Sequence, residues 1–175
     1  WEKVSNHAFF DDFNLIEIDP LDSDNIYVSI GTKFYRSTDK GITFETISPG
    51  LGTINAIEVS ESTSSIVWIV TNSGVYKIPN IFATTLTYEA VGTGIPSESK
   101  LSLKHHGRSG NNSLYLGTSL GVYTINDDVS TWQPFDNNLP NVAVDEALNL
   151  DGVEITQRFS NHPPRYSEAA LVKKL

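Results

Sequence analysis

Three stretches of this chain follow one grammar, and no other feature restricts its fold as much. The first runs Ile16-Glu17-Ile18-Asp19-Pro20, then Asn25-Ile26-Tyr27-Val28-Ser29-Ile30-Gly31-Thr32, then Phe34-Tyr35-Arg36-Ser37, then Phe44. The second runs Ala56-Ile57-Glu58-Val59, Val67-Trp68-Ile69-Val70-Thr71-Asn72, Gly74-Val75-Tyr76-Lys77-Ile78 and Tyr88. The third runs Leu101-Ser102-Leu103-Lys104, Ser113-Leu114-Tyr115-Leu116-Gly117-Thr118, Gly121-Val122-Tyr123-Thr124-Ile125 and Trp132. Ile18, Val59 and Leu103 mark one repeat position at intervals of 41 and 44 residues.

Each unit therefore holds four short, β-rich runs separated by turn residues. The runs alternate or are continuously apolar, as strands stacked between sheets must be, and helical spacing is absent over residues 1–144. Four strands per unit at a period of about 40–50 residues is the signature of a β-propeller. The expected fold class is all-β: a partial propeller of about three four-stranded blades forming an open arc, with a short irregular or helical C-terminal tail. A β-sandwich also repeats short strands, but its repeats need not match in residue type as these do. Trp1 falls at the position of Phe44, Tyr88 and Trp132, which closes an earlier blade and suggests a trimmed or partial chain.

Composition excludes several functions. The formal net charge is −9, and the acidic excess falls in residues 1–144. Such a surface repels phosphate backbones, so no nucleic-acid binding is expected of residues 1–144. With no cysteine there is no disulfide and no thiolate metal site. No apolar run reaches the roughly 20 residues that span a bilayer. No phosphate-binding glycine loop or nucleophile elbow occurs, and no cofactor or metal is expected.

Ser37-Thr38-Asp39-Lys40-Gly41-Ile42-Thr43-Phe44 reads S-x-D-x-G-x-T-F. It resembles the Asp box of the bacterial neuraminidase repeat, found in sialidase-like and sortilin-like propellers. The resemblance implies a hairpin between the third and fourth strands of a blade. The Ser37 hydroxyl and Asp39 carboxylate suit turn N–H groups. Gly41 suits a positive φ. Thr43 and Phe44 suit the returning strand, with the ring plugging the core. An eroded copy sets Asp127, Thr131 and Trp132 on Asp39, Thr43 and Phe44, with Ile125 for the serine and Val129 for the glycine. The second repeat has lost the motif, its turn being Pro79-Asn80-Ile81-Phe82-Ala83. In sialidase-like enzymes Asp boxes lie away from the active site, and catalysis uses a tyrosine with an arginine triad. Residues 1–144 hold only Arg36 and Arg108, so Asp39 is expected to be structural.

Other constellations are weaker. His105-His106 would point to opposite faces of a strand and is expected at a solvated loop end. Asp22-Ser23-Asp24-Asn25 lacks the glycine and distal glutamate of a calcium loop and reads as a turn. Asn111-Asn112-Ser113 is formally a glycosylation sequon within a turn. Tyr35, Tyr76 and Tyr123 share one repeat position, which favours packing over a carbohydrate platform.

From about Ala147 the grammar stops. Phe159-Ser160 and Pro163-Pro164-Arg165-Tyr166-Ser167-Glu168-Ala169-Ala170-Leu171-Val172-Lys173 resemble a segment of type IA DNA topoisomerases. That family's catalytic tyrosine motif and acidic metal site have no counterpart here, so the resemblance carries over no strand cleavage. Ser167 reads as an N-cap for a helix of roughly eight residues, too short to be stable alone. The expected organisation is blades over 1–144 and a foreign or poorly packed tail over 145–175, joined near Leu139–Ala147. The functional expectation is a non-catalytic binding or scaffold segment of a secreted or cell-surface bacterial protein, with a protein or glycan ligand. The alternatives are a fragment of a sialidase-like glycoside hydrolase and a topoisomerase remnant.

Overall fold

A computed structural model describes residues 14–95, 97–107, 112–135 and 144. Trp1, Arg108, Asn111 and the tail 145–175, with the expectations placed on them, lie outside the described residues. What is described is all-β, a partial β-propeller of three four-stranded antiparallel sheets, and no helix occurs among the described residues. The first blade is β1 (Leu15–Ile18), β2 (Ile26–Ile30), β3 (Lys33–Ser37) and β4 (Glu45–Ile47). The second is β5 (Ile54–Val59), β6 (Val67–Thr71), β7 (Gly74–Ile78) and β8 (Glu89–Ala90). The third is β9 (Lys100–His106), β10 (Ser113–Thr118), β11 (Gly121–Asn126) and β12 (Gln133–Pro134). Within each blade the strands lie in sequence order, and successive first strands neighbour one another, β1 beside β5 and β5 beside β9.

The middle hairpins are the most regular part. Ile30 pairs with Lys33, Thr71 with Gly74 and Thr118 with Gly121, so each hairpin closes on a two-residue loop. A positive φ at a central position of a two-residue loop matches the turn to the strand twist. Gly31 supplies it in the first blade, at φ 59°. Thr71 and Thr118 instead direct their hydroxyls to the carbonyls of Gly74 and Gly121.

Side-chain alternation divides the core in two. On the second sheet Ile57, Val59, Val67 and Ile69 meet Tyr27 and Phe34 of the first blade. Their sequence neighbours Ala56, Trp68 and Val70 meet Leu103, Leu114 and Leu116 of the third. Both faces of this sheet are buried, which is why β6 reads as an unbroken apolar run while β1, with one half-covered face, alternates.

The pairing registers correct the repeat alignment in its third unit. Ile18 lies opposite Ile26 and Val59 opposite Val67, but the residue opposite Leu114 is His105. Leu103 lies opposite Leu116 and so corresponds to Ile57. The sequence alignment is off by two, an error that preserves the face a residue points to and is therefore invisible to periodicity. The expectation that His105 ends a solvated loop is also overturned. His105 lies in β9, is 2% exposed, and stacks on Trp68 with ring centroids 4.7 Å apart.

The outer loops hold the seams differently. In the first seam Ile81, from the loop after β7, is wholly buried. In the third blade, the corresponding loop leaves Val129 41% exposed. Ile81→Ala should therefore cost about 2–5 kcal/mol through lost burial and a residual cavity, whereas Val129→Ala should change stability by about 0.5 kcal/mol or less. Urea unfolding of the two variants against the parent chain measures both.

Candidate functional site

The stretch Ser37 to Phe44, which resembles an Asp box in sequence, joins β3 to β4. The Ser37 hydroxyl accepts the Gly41 N–H at 2.8 Å and the Asp39 N–H at 3.3 Å, and donates to Asp39 Oδ1 at 2.8 Å. Asp39 Oδ1 accepts the Thr43 N–H at 2.8 Å, and Oδ2 accepts the Thr43 hydroxyl at 2.6 Å. These bonds to Thr43 and Ser37 hold the Asp39 carboxyl below the usual carboxylate range. Gly41 sits at φ 83°, and Lys40 before it at φ 62°, a left-handed pair of which the sequence signalled only the glycine. The hairpin is tied to the β1–β2 turn by the Lys40 N–H, which donates to the Asp24 carbonyl at 3.0 Å. Phe44 is half-buried.

The other two hairpins close by other means. In the third blade Asn126 Oδ1 accepts the Asp128 N–H at 3.1 Å, and the Asp127 carboxylate accepts a bond from Asn112 Nδ2 at 2.7 Å. Thr131 meets the Thr93 hydroxyl at 3.1 Å. Trp132 is buried and donates its indole N–H to the Val91 carbonyl at 2.8 Å. In the second blade Asn80 Oδ1 accepts the Phe82 N–H at 3.0 Å, and the Ile81 N–H donates to the Ser65 carbonyl at 2.8 Å. Arg36 of the first blade then grips this loop: its guanidinium donates to the Ile81 carbonyl, pairs with Glu45 and lies over the Phe82 ring.

The most perturbed carboxyl is one the sequence did not single out. Glu17, Glu58 and Lys104 lie opposite Tyr27, Trp68 and Tyr115, which makes them one register position on the first strands of three blades. Glu58 is 2% exposed. Burial pushes its carboxyl up to about 7, against the opposing pull of Lys104. Its Oε1 accepts the His105 N–H at 2.8 Å and lies 3.1 Å from Lys104 Nζ, so the carboxylate bridges β5 and β9. Burial also raises Glu17, whose carboxyl Lys104 partly steadies. The signal available in advance was a glutamate at a strand position flanked by apolar residues on both sides, which is a buried charge if the strand is covered.

His105 completes this cluster. Burial lowers its pKa, so the ring is neutral at pH 7. Nδ1 accepts the Glu61 N–H at 3.2 Å, which assigns the proton to Nε2, and the side-chain bond with Asn112 continues through to Asp127. No group of three or more metal-ligating side chains occurs among the described residues. Tyr35 is buried, Tyr123 packs against the second core, and Tyr76 is half-buried with its hydroxyl 3.2 Å from Ser73. Asp22 to Asn25 forms a turn capped by Asp19, whose Oδ1 accepts the Leu21 N–H at 2.9 Å.

No family model matches this chain. Among solved structures it is similar to the GH74 enzyme of Niastella koreensis, with a TM-score of 0.60 and 22% identity over 74% of this chain and 23% of that one. It is also similar to an ancestral GH74 enzyme, with a TM-score of 0.53 and 13% identity over 70% of this chain and 19% of that one. Separately, 42 residues, 24% of the chain, are 52% identical to DNA topoisomerase 1 of Haemophilus influenzae and span 5% of that protein. The chain thus covers under a quarter of each solved neighbour, and what it shares with them at these identities is the fold.

Proposed function

We propose that this chain is a non-catalytic binding or scaffold segment of an Asp-box β-propeller from a secreted or cell-surface protein. The observation that carries the reading is that two of its perturbed carboxyls, Glu58 and Asp39, are already engaged within the protein. Glu58 is buried, with its oxygens on the His105 N–H and Lys104 Nζ, and Asp39 has both oxygens on Thr43 and Ser37. Arg36, the one arginine among the described residues, is spent on Glu45 and Ile81. A general acid must reach the proton acceptor of a substrate, and a carboxyl held inside a blade seam does not. In this reading Ser37, Asp39, Gly41, Thr43 and Phe44 fold a hairpin, and Asp127, Thr131 and Trp132 belong to its diverged counterpart. The secreted placement follows from the Asp-box resemblance.

A second reading, a fragment of a propeller glycoside hydrolase, is favoured by the fold shared with GH74 enzymes and by two neighbouring carboxyls, Glu17 and Glu58, that are both raised. The likeness to topoisomerase supports a separate origin for the segment that carries it; at 42 residues that segment is longer than 145–175, so, if it includes the tail, it begins upstream of residue 145.

Three measurements test the leading reading. Incubation with a panel of soluble polysaccharides should release no reducing ends above the buffer control; turnover that Glu58→Gln abolishes would establish the hydrolase reading instead. Burial pushes the Glu58 carboxyl up to about 7 when folded, against 4.5 for an exposed glutamate. The folded chain therefore holds this proton more tightly than the unfolded one. The contribution of Glu58 to stability is greatest below about pH 4.5 and is lost as pH rises through about 7. Glu58→Gln should flatten that part of the stability profile in denaturant titrations. Asp39 has the opposite sign: its folded pKa is depressed, so its stabilisation is present above 3.8 and is lost as pH falls through the lower folded value. Asp39→Asn should lower the melting temperature by a few degrees at pH 7 and leave it nearly unchanged once the parent carboxyl is protonated. A profile parallel to the parent's would remove Asp39 from the structural role.

A further inference from the structure

His105 is the one buried histidine among the described residues, and its ring joins two blades. It lies against Trp68 of the second blade, with ring centroids 4.7 Å apart. Nδ1 accepts the Glu61 N–H at 3.2 Å, from the turn that follows β5. The opposite nitrogen is bonded to the Asn112 side chain, whose amide donates to Asp127 at 2.7 Å. A side chain of the third blade thus fastens a turn of the second.

That turn, Ser60 to Ser65, is otherwise closed on oxygen acceptors. Ser60 Oγ accepts the Ser62 and Thr63 N–H groups at 3.2 and 3.3 Å, and the Ser60 N–H donates to the Ile66 carbonyl at 3.0 Å. At its far end the Ser65 carbonyl accepts the Ile81 N–H at 2.8 Å, so the turn also holds the residue that fills the first seam. The hydroxyl and carbonyl oxygens among these acceptors do not titrate near neutral pH, whereas an imidazole nitrogen does.

We infer that His105 is an acid-operated latch between the second and third blades: when its ring takes a second proton, Nδ1 stops accepting the Glu61 N–H and the turn 60–65 is released from β9. An imidazolium has two donors and no acceptor, so two N–H groups would then face each other. Glu61 is only half-buried, so its freed N–H can turn to water. Several charged groups face the ring. Glu61, on the turn, favours protonation, and His106 and Lys104, on the same strand, oppose it. Asp127, on the hairpin after β11, reaches it through Asn112, Lys77 of β7 borders the same space, and Glu58 of β5 holds the His105 backbone N–H. Burial outweighs the attraction of Glu61 and keeps the ring below the ordinary 6.5. The unfolded chain therefore takes up this proton first. The latch contributes fully above 6.5, and its contribution falls as pH drops from there to the lower folded value.

Glu58, in the same seam, has the opposite sign, so a melting curve sums two opposed effects and a local measurement is required. The whole chain is labelled with ¹⁵N. The ring nitrogen shifts give the tautomer and the titration, and amide exchange, corrected for its intrinsic pH dependence, gives the protection of Glu61. Ser62 and Thr63, held by the Ser60 hydroxyl, are internal controls. At about pH 7.5 the ring proton should sit on Nε2 and the Glu61 amide should be protected. As the ring titrates, that protection should fall about tenfold, while Ser62, Thr63 and the core amide of Ile69 keep theirs. Glu58→Gln should leave this behaviour in place. His105→Phe, which keeps a ring against Trp68, should leave Glu61 unprotected at every pH. Three outcomes on the unsubstituted chain would overturn the proposal, whether or not His105→Phe folds. They are a proton on Nδ1 at neutral pH, a ring titration that Glu61 does not follow, and loss of protection at Glu61 only together with Ile69. None of them depends on what the chain binds or cleaves.

Discussion

Two-sided burial of the second sheet is the constraint on which the other blades depend. A strand presents its side chains alternately to two faces, and here each face is the wall of a different core. Ile57, Val59, Val67 and Ile69 complete the first seam, and Ala56, Trp68 and Val70 the second. A slip of one residue in β5 or β6 would exchange these two sets and present a glutamate to the first core. The register is thereby fixed from both sides at once. The first blade shows the converse. Ile16 and Ile18 correspond to Ile57 and Val59 but are 63% and 51% exposed, so the same residue types at the same register position gain burial only where a neighbouring sheet covers them.

This arrangement explains which features could be read in advance. The three units, their four strands and the all-β class were legible because repeat spacing and alternation are themselves consequences of stacked sheets. The boundary of the hairpin at Ser37 to Phe44 was legible because serine, aspartate and glycine at those intervals suit a turn. What could not be read was anything decided across a seam. His105 looked like half of a solvated pair; it is buried because Trp68, 37 residues earlier, offers a ring to stack on. Ile81 looked like part of a degraded turn, and its value as a plug depends on Arg36 of another blade. The position of Leu103 was misaligned by two residues, since pattern registers a face and not a rung.

Among the described residues, polar contacts cross the second seam at several places, from Asn55 and Lys100 to Thr93 and Trp132. Glu58 carries a desolvated carboxyl into the second seam, offset by a backbone N–H and the Lys104 ammonium. Replacing such a group with an apolar one of similar size is often neutral or stabilising in proteins, so the contact is a poor candidate for a source of net stability. Its geometry is better suited to fixing alignment: the bond from the His105 N–H sets the height of β9 against β5, which apolar side chains meeting across a seam do only loosely. A carboxyl with a raised pKa invites a catalytic reading. Here the cause is confinement between two sheets, and the same confinement removes it from solvent.

The three outer hairpins bear on where function enters a repeat fold. A blade needs its third and fourth strands joined, and that requirement is met by a serine–aspartate box, by an asparagine turn gripped from the neighbouring blade, and by an asparagine turn with a buried tryptophan beside it. Because the strands and seams stay constant, these loops can differ without cost to the core, and each difference changes what lies at the rim of the adjoining seam. Where the loop folds inward, the seam is sealed by the chain itself. Where it turns outward, Val129 is left exposed while Trp68, Leu114 and Ile125 stay buried in the second core.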